Sequence, residues 1–138
     1  MRTLYADEID HTAAEAIVEQ LEAATAPMAA TQIRVLGGAA ARVPEDATAY
    51  AHRGRRMMVN VAAVFEQPDE AEVHECWASG LAETLRDAGS DAYVNFLGEE
   101  GEARVRDAYP GTTWDRLVEV KRRYDPENVF RSNHNIAG

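Results

Sequence analysis

The sequence predicts an α+β fold. A small, mostly antiparallel sheet of about three strands is packed by helices in the order α-β-β-α-β-α-α. The segment Met57–Phe65 is a Val-rich apolar run of strand length. Segments with helical apolar periodicity lie on either side of it. The 138 residues, 46% apolar and 28% charged, suffice for one core, so residues 1–138 read as a single domain.

The first helix is expected near Thr12. There Thr12-Ala13-Ala14-Glu15 reads as a capping box, the hydroxyl taking a free backbone N–H while the carboxylate reaches back. Ala14, Ile17, Val18, Leu21 and Ala24 continue it as one stripe, and Pro27 ends it. Thr31–Val43 reads as a strand interrupted at Gly37-Gly38, a place for a bulge or a close approach to the backbone. Ala47–Arg56 reads as loop or irregular strand. Met57–Phe65 is apolar on both faces, the mark of a covered central strand. A helix starting near Asp69 carries Val73, Trp77, Leu81 and Leu85 every four residues and closes at Gly89. Ala92–Leu97 reads as a short third strand, followed by an acidic turn and a short helix ending near Tyr109. A last helix, Thr113–Tyr124, is stopped by Asp125-Pro126, and the tail beyond it is irregular.

Composition narrows the function. Acidic residues outnumber basic ones 24 to 14, for a net charge of −10. That argues against nucleic-acid binding, which wants a basic face, and against an anionic membrane surface. No run is long enough to span a bilayer, and the opening MRTLYADEID lacks the basic-then-apolar order of a signal peptide. With Cys76 as the one cysteine there is no internal disulfide, so a cytoplasmic location is expected. The four histidines are scattered, and His74 and Cys76 are two apart on a predicted helix, so no metal site is expected. Gly37-Gly38 fits neither a dinucleotide fingerprint nor a phosphate loop, and no G-x-S-x-G elbow is present. Arg53, Arg55 and Arg56 could hold an anion, but read more readily as a solvated loop or as partners for the acidic excess.

Two polar constellations stand out. In a strand over Ala92–Leu97, Tyr93 and Asn95 share a face. A phenol with an amide beside it can hold a polar ring and move a proton; the same pattern also fits a solvated face. Asn133-His134-Asn135 reads either as a terminal turn or as a clamp of amides.

Three stretches taken together resemble a known family. They are Leu36-Gly37-Gly38-Ala39 with Ala51-His52-Arg53; Tyr93-Val94-Asn95-Phe96-Leu97-Gly98; and the closing RYDPENVFRSNHNI from Arg123 to Ile136. In this order they resemble the C-terminal part of FAD-linked oxidases of the berberine-bridge-enzyme-like family. The resemblance implies a lobe that caps the flavin and a small-molecule substrate. It further implies that Tyr93 is the base near the flavin, and that Tyr93, Asn95, Asn133 and Asn135 lie against FAD. The family's FAD-binding domain precedes this region and is not among these residues. A partner is therefore expected, either a separate FAD-domain chain or a second copy, because a narrow sheet with missing neighbours leaves an edge open. The competing expectation is a non-redox binding module that homodimerises around a cleft near Tyr93, Asn95 and His52.

Overall fold

The computed structural model describes residues 1–86, 92–98 and 101–136. Strand β1 (Arg2–Ala6) leads into helix α1 (His11–Glu22) and strand β2 (Met28–Val35). A short helical turn, α2 (Gly38–Ala41), and a loop follow, then strand β3 (Met57–Val64) and helix α3 (Ala71–Thr84). Helices α4 (Glu102–Asp107) and α5 (Thr112–Tyr124) complete the regular structure. The sheet is antiparallel with order β1-β3-β2. No helix among the described residues is long and apolar enough to cross a membrane.

Class and strand number are as expected, but the third strand is a different one. β1 pairs Leu4 with Val59 and Ala6 with Met57, while β2 pairs Ile33 with Val59 and Val35 with Met57. Both edges of β3 are thereby filled. Ala92–Leu97 has no place beside it, and instead of a strand it forms a single 3-10 turn at Val94–Phe96. The observed order therefore begins with a strand, and the expected strand between α3 and α4 is absent. The predicted closure of α3 at Gly89 and the acidic turn at Glu99-Glu100 lie outside the described residues.

The core lies on one sheet face. Leu4, Ala6, Val59 and Val61 project from it and meet Ala78, Leu81, Ala82 and Leu85 of α3. Ile9, Ala13, Ile17 and Trp77 close the cluster from the side. Leu81 is 1% exposed at its centre. Leu81→Ala should cost roughly 2–5 kcal/mol, as lost transfer energy plus a cavity. Urea unfolding monitored by circular dichroism checks this; a loss under about 1 kcal/mol would contradict the packing.

Helix α1 starts at an Asp10 cap, not at the Thr12 box. The Asp10 carboxylate accepts the Ala13 N–H at 2.8 Å, and Thr12 already lies inside the first turn. The expected strand past Val35 also fails. Gly37 and Gly38 take φ of 137° and 59°, which turn the chain out of the sheet and into α2. A Cβ at either would meet nothing within 4 Å, so the backbone angle, not a close neighbour, calls for glycine.

Candidate functional site

The other sheet face carries a second layer. By alternation Thr3 and Tyr5 of β1, Met58 and Asn60 of β3, and Gln32 and Arg34 of β2 project there. Helix α4 is pinned to this side by Arg104, which bonds Asp107 at 2.8 Å and the Thr3 carbonyl at 3.4 Å. His52 stacks on Tyr5 at 4.6 Å between ring centres, and its Nε2 faces the Ala108 carbonyl at 3.2 Å. A carbonyl only accepts, so that nitrogen carries the proton. His52 is thus a buried strut between sheet and α4 and does not line an open cleft. Two of the three clustered arginines are likewise committed to the chain. Arg53 donates to the Ala40 carbonyl and the Thr48 hydroxyl, and Arg55 pairs with Asp7 at 2.7 Å.

Above this layer sits the Tyr93–Leu97 turn. It is closed by Phe96 N–H to the Tyr93 carbonyl at 2.9 Å and Leu97 N–H to the Val94 carbonyl at 3.2 Å. Phe96 lies under the Arg34 guanidinium, 5.0 Å from the ring centre. Tyr93 is half-buried, with Phe96 at 5.3 Å and Tyr50 at 6.1 Å, both edge-on. Tyr50 in turn meets His52 at 6.2 Å. Tyr93 and Asn95 do not share a strand face, because there is no strand. They meet across the turn instead, where Asn95 Nδ2 donates to Tyr93 Oη at 2.9 Å. Nearby Tyr109 has its phenol pushed above the ordinary range, first by burial and then by the neighbouring Tyr93.

The tail completes the site. Asp125 follows α5 and accepts the backbone N–H of Val129 at 2.8 Å and of Phe130 at 3.0 Å. Lys121 donates to the same carboxylate and to the Phe130 carbonyl. Asn128 and Asn133 take positive φ of 52° and 60°, a conformation Asn tolerates, and each bends the tail. The far end is tied down where His134 Nε2 meets the Leu97 carbonyl at 3.2 Å.

Between turn, tail and α4 opens a cleft of about 860 Å³. Asn95, Asn133 and Asn135 all line it, together with His134, Glu102 and Val105. Three of the four predicted site residues therefore converge from separate segments, and the fourth, Tyr93, is one hydrogen bond behind Asn95. Among the described residues no lysine or arginine lines the cleft. Asn135 Oδ1 is enclosed without a hydrogen-bond partner, as is Asn60 Oδ1 on β3. A buried acceptor left unmatched is costly, and a donor from a ligand is one way to satisfy it. The lining suits a flat polar ring carrying both donors and acceptors and offers nothing for a pyrophosphate. Tyr50, Tyr109 and Asn60 were not singled out by sequence reasoning; the Tyr50-Ala51-His52 spacing was the one available signal. No group of three potential metal ligands occurs among the described residues.

Comparison with known proteins points the same way. Residues 92–137 match the family described as berberine and berberine like. The chain is 36% identical over 103 residues to an FAD-linked oxidoreductase of Bacillus subtilis, YgaK, over 75% of this chain and 23% of that protein. It is 34% identical over 102 residues to the FAD-linked oxidoreductase OXR1 of Pyricularia oryzae, over 67% of this chain and 19% of that protein. The chain thus spans about a fifth to a quarter of the curated relatives it matches. In fold it superimposes on Physcomitrella patens BBE-like 1 with a TM-score of 0.80 at 19% identity, covering 99% of this chain and 30% of that one.

Proposed function

We propose that the chain, which is similar to the C-terminal region of the berberine-bridge-enzyme-like FAD-linked oxidoreductases, is the lobe that closes over the flavin and substrate. The observation that carries this reading is the convergence of Asn95, Asn133 and Asn135 on one cleft, with the Tyr93 phenol held directly behind Asn95. The amides orient a polar ring, and Tyr93 in its phenolate form takes the proton of a substrate hydroxyl. FAD, when bound, supplies the acceptor for the hydride from the adjoining C–H, so that a hydroxyl becomes a carbonyl. Fixed contacts at both ends of the turn keep the phenol in register with a bound substrate. The layer of Phe96, Tyr50 and His52 behind it keeps water from that side of the ring.

The pyrophosphate and the rest of the cofactor are assigned to an FAD-binding unit outside these 138 residues. The open edge of β2 supports a need for a partner. Val35 is 83% exposed and Ile33 42%, and no Pro or Lys blunts the strand. The same edge supports the second reading, a non-redox module that pairs with its own copy.

An absorbance spectrum between about 350 and 500 nm separates the two readings. Flavin bands that co-purify with the chain, or are retained when it is mixed with an FAD-binding unit, support the oxidase lobe. A colourless protein whose Tm ignores added FAD, with a light-scattering mass of two chains, supports the module. A mass of one chain with no flavin in either preparation counts against both.

A further inference from the structure

Tyr93 is useful as a base only if its oxygen is aimed, and the contacts around that oxygen suggest what aims it. The ring is fixed between the edges of Tyr50 and Phe96, at interplanar angles of 89° and 76°. Rotation about the last torsion is all that remains, and that concerns the phenol hydrogen. Asn95 Nδ2 approaches the oxygen to 2.9 Å as a donor. A phenol oxygen that accepts on one side turns its own hydrogen, or its remaining lone pairs, elsewhere. The Asn95 backbone lies inside the 3-10 turn, and Leu97 at its end is tied to His134, so the backbone that carries the amide is held in place. Asn95 also lines the cleft, so the held oxygen lies one hydrogen bond from the ligand space.

We propose that Asn95 is a positioning residue for Tyr93. Its side-chain N–H keeps the phenol oxygen an acceptor and stabilises the charge on that oxygen before the proton arrives. The inference rests on the reading of Tyr93 as base. The proton balance is simple. The substrate O–H bond breaks, the proton joins Tyr93 Oη, and the Asn95 hydrogen bond weakens as the oxygen loses its charge. Tyr109 is less suited to this part, because burial and the adjacent Tyr93 both push its phenol upward.

The test uses isosteric variants and two kinds of readout. In the purified chain, the Asn95 side-chain amide is followed by nitrogen–proton NMR. Its resonance should move in Tyr93→Phe and should follow the phenol as alkali ionises it, while the Asn133 and Asn135 amides stay put. In the flavin-loaded oxidase, Asn95→Asp keeps the shape but removes the donor, so the phenol must donate instead. Flavin reduction should slow by about 10- to 100-fold in kcat with KM little changed. Asn95→Leu should slow it as well, and Asn95→Gln should recover part of the rate. If Tyr93→Phe is slow but Asn95→Asp is not, and the Asn95 amide ignores Tyr93→Phe, the role of Asn95 falls while the base survives. If Tyr93→Phe reduces flavin at the normal rate, the base and the positioning role fall together.

Discussion

Tyr93→Phe is expected to slow flavin reduction by roughly 10²–10⁴-fold, the usual worth of a positioned acid or base. The substitution is close to a single-atom deletion. Phe keeps the ring, and with it the edge contacts to Tyr50 at 6.1 Å and Phe96 at 5.3 Å. What it loses is the oxygen that accepts from Asn95. The thermal midpoint should therefore move by no more than a few degrees while the rate collapses. Stopped-flow absorbance of the loaded oxidase measures the rate, and circular dichroism of the same sample measures the melt. A rate within a factor of about three of wild type would remove Tyr93 from the chemistry. A second consequence needs no flavin. Tyr109 is pushed up first by burial and then by Tyr93, so deleting the Tyr93 hydroxyl should let Tyr109 ionise at lower pH than in the wild type. Alkaline titration of tyrosinate absorbance tests this, with Tyr109→Phe as the assignment control.

The parts of the fold that sequence reasoning reached are those whose signal is long and regular. Strand β3 is eight residues of nearly unbroken apolar sequence, and burial on the sheet follows directly from that. α5 was placed to within a residue because its periodic face ends on Asp125-Pro126. Strand β1 was invisible for the opposite reason. It is five residues long, and its four fully buried positions form a run too short to tell strand from anything else. The Tyr93–Leu97 segment misled because alternation is a property of residue types, whereas a strand needs a neighbour with a free edge. β1 and β2 had taken both edges of β3. Yet the pairing of Tyr93 with Asn95 was legible. Tyr93 and Asn95 are brought together by a turn as well as they would have been by a strand. The convergence of Asn133 and Asn135 on Asn95 depends on how the tail folds back, and that is decided by a carboxylate whose partners are dispersed over ten residues, from Lys121 to Phe130.

That carboxylate, Asp125, supplies the second large effect. Lys121 donates to it, and it accepts two backbone N–H groups from Val129 and Phe130. Lys121 also holds the Phe130 carbonyl at 2.6 Å. Removing the carboxylate orphans two N–H donors together, and among the described contacts the tail is then held by Lys121 on the Phe130 carbonyl and by His134 at 3.2 Å from the Leu97 carbonyl. Asp125→Ala should therefore release residues 126–136 and dissolve the cleft wall formed by Asn133 and Asn135, while the sheet and α3 stay folded. Trypsin cleavage after the exposed Arg131 should accelerate by about tenfold or more, since local opening exposes the bond without global unfolding. Acid should mimic the variant. The Lys121 hydrogen bond, helped by the Val129 and Phe130 N–H groups, holds the Asp125 carboxyl below its ordinary value of 3.8 against the partial burial that opposes it. A lowered folded pKa means that the stabilisation is complete above the ordinary carboxylate range and fades as pH falls through that range towards the folded value. Hydrogen exchange of the Val129 and Phe130 amides, corrected for intrinsic rates, should quicken over that acidic window in the wild type. In Asp125→Ala it should already be fast at neutral pH and show no such window. Amides that stay protected in the variant would mean that something other than Asp125 folds the tail onto the cleft.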